Sequence, residues 1–286
     1  MSLLMLALPS FSQEVEEIHV NDAISFVHAL RSNRTIVLDC DIDFGKELQN
    51  LAKYNPDEIQ VYREYEDVDI AAISNLHNRP YLTEEFDGMQ LNLHDIHNLT
   101  IRSNESLGTY LLRIEPRYAY VLRFVNCSNI KLENLVMGHT EGGYCEGGVV
   151  AFKNCRDVTI NHCDLYGCGM EGINFSNSSK LRFTNSIIRD CTYQIMDLST
   201  SQDIVFEKSL FLRNKEFTQL NIRGCNEVYF RECLFHSNQG PFLSEYKSNI
   251  SFVKCDICHD VNQLGDLHMT PLIDCNVWND FGVKKE

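Results

Sequence analysis

Asp197 stands between two asparagines at near-equal intervals, with Asn174 23 residues before it and Asn221 24 after it. Arg223 lies two positions beyond Asn221, and Lys153, Ser176 and Ser199 hold the equivalent places in earlier stretches. Glu171 precedes Asn174 by three residues. This grouping could support three kinds of chemistry. Two carboxyls at a fixed separation cleave glycosidic bonds. A base such as Lys153 or Arg223 could take a proton from a sugar carbon in a lyase, with Asp197 and Glu171 holding a calcium ion. Amides that both donate and accept could hold sugar hydroxyls without any reaction. The candidate catalytic residues are therefore Asp197, Glu171 and Arg223. The candidate substrate-binding residues are Tyr144, Glu146, Lys153, Asn174 and Asn221. No residue is assigned as a metal ligand, no cofactor is required, and calcium is the one ion this chemistry could recruit. The competing reading is an Asn/Asp ladder that only solvates a sheet.

Residues this far apart share a face only if the chain repeats itself. It does so most clearly from Val121 to Asp260. An apolar residue is followed six positions later by an aliphatic one, as in Phe124 to Ile130, Phe152 to Val158 and Phe175 to Leu181, with Asn, Cys or Ser between. The aliphatic positions Leu99, Ile130, Val158, Leu181, Ile204, Val228 and Ile250 are separated by 31, 28, 23, 23, 24 and 22 residues. A period in the low twenties marks a solenoid. Leucine-rich repeats share that period, but these units are poor in leucine, rich in β-branched residues, and alternate apolar with polar, as in Val158-Thr159-Ile160 and Val228-Tyr229-Phe230. Period-two alternation means strands with one buried face. Each unit is thus a coil of about three short strands, stacked about 4.8 Å from the next, with right-handed connections. The fold class is all-β, a right-handed parallel β-helix of at least six coils. Alternation places Val150, Ile173, Met196 and Leu220 inward, and so Ala151, Asn174, Asp197 and Asn221 outward.

The segment Leu111 to Leu198, with Gly143-Tyr-Cys-Glu-Gly-Gly-Val149 and Leu165-Tyr-Gly-Cys-Gly-Met-Glu-Gly172, resembles bacterial right-handed parallel β-helix repeat proteins, relatives in fold of pectate lyases and polygalacturonases. The resemblance implies a site in a groove along one outer sheet face, walled by loops. The long loop His139 to Gly148, carrying Tyr144 and Glu146, could wall it. The motifs of the polygalacturonases are missing: there is no Asn-Thr-Asp, adjacent Asp-Asp, Gly-His-Gly or Arg-Ile-Lys, nor an Arg-x-Pro-x-x-Arg string of lyase type. No catalytic residue of that group carries over, because repeat pattern identifies a fold and not a reaction.

The chain has 286 residues and a formal net charge of −15, which weighs against nucleic acid, since phosphate binding needs a basic stripe. The same charge ranks neutral glycans above polyuronates. No apolar run has the length of a membrane span, so no membrane insertion is expected. Residues 1–12 read as the apolar remnant of a secretory signal, which points to a secreted or periplasmic protein; the alternative is an apolar first strand. Twelve cysteines could form disulfides. Yet Cys163, Cys233 and Cys255 share a column with Ser186 and Ser209, while Cys168 and Cys191 share one with Asn214 and Asn238. That makes them compact turn fillers and free thiols, with Cys168 and Cys191 the closest pair. Cys255-Asp-Ile-Cys258-His259 has the spelling of a c-type haem attachment site, but Cys255 already belongs to a turn column.

After residues 1–12, two regions follow. Residues 13–90 form an N-terminal cap and irregular first coils: a cap helix over 21–31 started by Asn21 or Asp22, a first strand at Thr35–Leu38, and an acid-rich early coil with long loops from 41 to 90. Residues 91–286 form the repeats and a C-terminal cap, with a last partial coil over Leu264 to Trp278. Two functions fit: an extracytoplasmic protein that engages carbohydrate on one sheet face, by binding or as a polysaccharide lyase or glycoside hydrolase, or a non-catalytic structural or protein-interaction solenoid. Exposed aromatic rings along the face would favour the first; oligomeric state is not encoded in the pattern.

Overall fold

The aliphatic column is the register of a sheet. Leu99, Ile130, Val158, Leu181, Ile204, Val228 and Ile250 are successive partners on parallel strands, and all are buried. The computed structural model describes residues 15–55, 57–63, 77–140, 143–167 and 169–279. One coil consists of strands Arg156–Asn161, Asp164–Tyr166 and Glu171–Ser176. Stacked coils make three sheets, of ten, nine and nine strands, and the architecture is a right-handed parallel β-helix. Inward residues stack on their own kind: Phe206, Phe230 and Phe252 form one pile, with ring centroids 4.9 and 4.7 Å apart.

The turns explain the asparagines and cysteines. Asn126, Asn154 and Asn177 have positive φ, as do Thr200, Gly224 and Lys247 in the same column; asparagine tolerates that region better than most residues. The next position is Cys127, Cys155, Ser178, Ser201, Cys225 and Ser248. There the hydroxyl of one coil accepts the N–H of the coil before: Cys155 N–H donates to Ser178 Oγ at 2.8 Å and Cys225 N–H to Ser248 Oγ at 3.0 Å. Cys163 N–H donates likewise to Ser186 Oγ at 2.9 Å, and Cys191 N–H to Asn214 Oδ1 at 3.0 Å. These bonds satisfy turn donors that no ladder reaches. Cys255 sits in the Cys233–Cys255–Cys275 column, donating its N–H to Cys275 Sγ at 3.3 Å. His259 is buried with Nε2 2.7 Å from the Gly240 carbonyl, so the CxxCH string is built into turn and sheet packing.

Eleven described cysteines are free thiols; Cys168, and with it the Cys168–Cys191 pair, lies outside the described residues. Burial pushes the Cys163 thiol up to about 12, which suppresses the reactive thiolate. Denatured without reductant, the protein is expected to titrate at least eleven thiols of its twelve. Fewer than about half reacting would replace turn packing with a disulfide framework.

The N-terminal end departs from the sequence expectation in two respects. Thr35–Leu38 belongs to the second strand, Arg34–Leu38, which pairs with an earlier one, Glu16–Val20. Between them runs the helix Ala23–Ala29, inside the expected span; Asp22 caps it, accepting the Ser25 N–H at 2.7 Å, while Ser25 Oγ takes the Asp22 N–H. Residues 41–90 were expected to form an early coil with long loops. They hold a helix, Gly45–Tyr54, burying Leu48 and Leu51, and a hairpin of Arg79–Glu85 with Gly88–His94, the single antiparallel pair among the described strands. Several acids of this stretch are occupied by later coils. Asp43 grips Arg113 at 2.6 Å, Asp41 accepts the Leu111 N–H at 2.9 Å, and Asp87 the Arg117 N–H at 2.7 Å. Glu64, Glu66, Asp67 and Asp69 lie outside the described residues. Among the described residues, no helix is long and apolar enough to cross a membrane, and no three His, Cys, Asp or Glu side chains are grouped to hold a metal ion.

Candidate functional site on the third sheet

Strands Val150–Lys153, Glu171–Ser176, Gln194–Ser199 and Leu220–Arg223 lie side by side in the third sheet. Their register aligns Ala151, Asn174, Asp197 and Asn221 on one row, and Lys153, Ser176, Ser199 and Arg223 on another. Val150, Ile173, Met196 and Leu220 are fully buried beneath. Alternation therefore turns both polar rows outward.

Asp197 is the centre of one cluster. It accepts from Asn221 Nδ2 at 3.0 Å, and Arg223 Nη2 donates to both its oxygens, at 3.0 and 2.9 Å. Its side chain is 17% exposed against 53% for Arg223. Burial raises the Asp197 carboxyl above its ordinary range, against the opposing pull of Arg223. Glu171 is the centre of the other cluster. It is 2% exposed, and it accepts from Tyr120 Oη at 2.6 Å, Asn174 Nδ2 at 3.1 Å and Gln194 Nε2 at 3.3 Å. A Cβ on Gly148 would come within 2.4 Å of the Tyr120 ring and 2.8 Å of the Glu171 carbonyl. Glycine there lets the tyrosine pass beneath the loop to reach the carboxylate.

Burial, reinforced by the nearby Asp197 charge, raises the Glu171 carboxyl, although its three donors oppose this. A carboxyl that holds its proton more tightly when folded contributes stability below the ordinary value of 4.5, and loses it as pH rises through the folded value. Urea unfolding of wild type is expected to show a loss of stability from pH 4.5 toward neutrality that Glu171→Gln lacks. Parallel pH profiles for the two proteins would refute the assignment.

Tyr144 is brought to the wall of this face, and not onto Asp197. Its hydroxyl donates to Glu216 at 2.7 Å, and its ring meets Tyr193 edge-on at 5.9 Å. Glu146 stands exposed on the same loop. Sequence reasoning missed what Tyr144 belongs to. Tyr193 stacks on Phe217 at 4.7 Å, and Phe217 is 55% exposed. The Phe217 N–H donates to the Tyr193 carbonyl at 2.9 Å, so the two share a turn column that leads into the third sheet. A further pair, Phe86 and Tyr118 at 5.0 Å, stands at the turn before Leu122–Val125 of the same sheet. The signal was present: Tyr193 and Phe217 each lie three residues before an inward residue, Met196 and Leu220. Phe217 of the ring row and Asn221 of the polar row line an open cleft of about 350 Å³, together with Gln194, Pro241 and Ser244. The sequence reading also began the outer row one coil late, since Ala151 pairs with Arg123.

The sequence matches the family described as right-handed β-helix region over residues 87–257. No curated protein matches it. A solved pectate lyase from Paenibacillus sp. 0602 is similar at 11% identity and a TM-score of 0.54, covering 96% of this chain and 80% of that one. An alginate lyase from Paenibacillus sp. str. FPU-7 is 10% identical with a TM-score of 0.42, covering 92% and 98% of the two chains. A surface adhesin of Streptococcus pneumoniae, PfbA, is 7% identical with a TM-score of 0.38, covering 93% and 86%. Identities this low speak to fold alone.

Proposed function

The chain belongs to the right-handed β-helix family, and from that premise we propose that it engages a glycan, outside the cytoplasm, along the outer face of its third sheet. The observation that carries this reading is the ring row Tyr144, Tyr193 and Phe217, exposed at both ends, beside a row of amides and carboxylates. A sugar has an apolar ring face and polar edges. Aromatic rings cover the first, and Asn174 and Asn221 can donate to and accept from the second. Asp197 and Glu171 are two carboxyls in unlike surroundings, one half-open and gripped by Arg223, the other buried among neutral donors. Proton transfer to a bound glycan would fall to Glu171, the more deeply buried carboxyl, with Asp197, paired with Arg223, as its ionised counterpart. Lys153 and Arg223 supply cations to the outer edge of the same face. The apolar residues 1–12 support the location; they lie outside the described residues.

The test is a glycan array with and without calcium, comparing wild type with Asp197→Ala and Phe217→Ala. Retained glycans that both variants lose support the face. Binding that neither variant changes removes it, and silence from wild type leaves the non-catalytic interaction solenoid ahead.

A further inference from the structure

His94, Arg123 and Lys153 share the outer face of the third sheet, on the coils before Asp197. Leu91 and Leu93 are fully buried, so Asn92 and His94 of that strand turn outward. Register places His94 opposite Val125, Val125 opposite Lys153, and Arg123 opposite both Asn92 and Ala151. The three side chains therefore rise from adjacent rungs, about 4.8 Å apart, around two buried residues, Val125 and Ala151.

Each of the three is a donor with no acceptor. Arg123 and Lys153 are half-buried, and among the described residues their side chains have neither an ion pair nor a hydrogen bond. The other half-buried cations differ: Arg34 is held by Glu16, Arg102 by Glu17, Arg113 by Asp43, Arg182 by Asp203 and Arg189 by Asp164, and Arg31 by the Leu30 carbonyl. His94 is 5% exposed. The Asn126 amide oxygen accepts from Asn154 at 3.1 Å, so its nitrogen is the donor to His94 Nε2 at 3.0 Å. Burial holds His94 below its ordinary value, hence neutral. A neutral ring that accepts at Nε2 carries its proton on Nδ1. That Nδ1–H is buried and has no partner. Tyr81 closes the side, its ring edge-on to His94 at 6.3 Å. The carboxylates further along the face are already committed, Glu171 to Tyr120 and Asp197 to Arg223. Two cations and a neutral buried N–H, all unsatisfied and carried on three adjacent strands of one sheet face, match an acceptor that carries charge.

We propose that His94, Arg123 and Lys153 form an oxyanion-binding site, which takes a carboxylate, sulfate or phosphate group, free or carried on a sugar chain. It shares a face with the glycan cleft, yet inorganic sulfate tests it independently. Full-length protein is titrated with sodium sulfate against sodium chloride at matched ionic strength, followed by amide chemical shifts. Wild type is expected to show saturable, sulfate-specific shifts at Asn92–His94, Leu122–Val125 and Val150–Lys153. The double variant Arg123→Gln, Lys153→Gln should bind at least about tenfold more weakly, the loss expected for a hydrogen bond to a charged group, with an unchanged unfolding midpoint. Lys131→Gln, an exposed cation of the first sheet, should bind as wild type does. No sulfate-specific saturation, or equal weakening by Lys131→Gln, overturns the site. Tighter binding of a uronate or sulfated oligosaccharide than of sulfate assigns the anion to a sugar; equal affinity assigns a free ion. Sulfate binding in a protein silent on the glycan array would sustain this site while removing the cleft reading.

Discussion

Phe230→Ala is expected to lower the free energy of unfolding by about 3–5 kcal/mol. The ring is fully buried. It stacks on Phe206 at 4.9 Å and Phe252 at 4.7 Å, and meets Phe235 edge-on at 5.7 Å. Phe206 and Phe252 are its register partners on the neighbouring coils. In a solenoid each coil is stabilised by the interfaces above and below, so truncating one ring weakens both. The strand ladder holds the coils apart at a fixed spacing, which prevents the cavity from collapsing and keeps the cost near the upper part of the range. Urea unfolding measures it. A loss under about 1 kcal/mol would mean that the pile is not continuous. Phe217→Ala is the control: its ring is 55% exposed, and its removal should change stability by no more than about 0.5 kcal/mol.

That contrast also marks what could be read in advance. The pile follows from period-two alternation inside a period of 22 to 24 residues, so Val228, Phe230 and their partners in other coils were assignable without coordinates. So was the outward row Asn174, Asp197 and Asn221, because a strand has only two faces. Turns have no such rule. Glu171 sits where a strand emerges from a turn, and only packing shows that its carboxylate lies beneath Tyr120 and Asn174. Tyr193 and Phe217 are spaced by the repeat, but nothing in a periodic pattern distinguishes an exposed ring from a buried one. Tyr144 is harder still, since it reaches Glu216 across 72 residues of sequence. The helix Gly45–Tyr54 and the hairpin around Asp87-Gly88 were hidden because they interrupt the period, and a reading built on periodicity records an interruption only as a loop. Local signals were available there: Leu48 and Leu51 at helical spacing, and Gly88 at the last position of a tight turn through Phe86 and Asp87.

If a glycan lies along the third sheet, Asp197→Ala with Phe217→Ala is expected to weaken its binding by more than about a hundredfold. Covering an aromatic ring is worth about 1.5–3 kcal/mol, and a hydrogen bond to a charged group is worth about the same; each corresponds to roughly tenfold or more in affinity. The two sites lie on adjacent coils, so the full double-mutant cycle is needed to detect coupling. Stability should barely respond. The Asp197–Arg223 pair has one partner 53% exposed, and pairs of that kind contribute about 0–1 kcal/mol. A pair that contributes little to folding, set at the centre of an outward polar row, is free to serve a ligand if one lies there. Calorimetric titration of a retained glycan into wild type, the two single variants and the double variant, alongside urea unfolding of each, separates the alternatives. Binding lost with stability kept supports the cleft. Stability lost in step with binding would make Asp197 a scaffold residue. Binding indifferent to Asp197→Ala and Arg223→Ala together would remove this face from consideration.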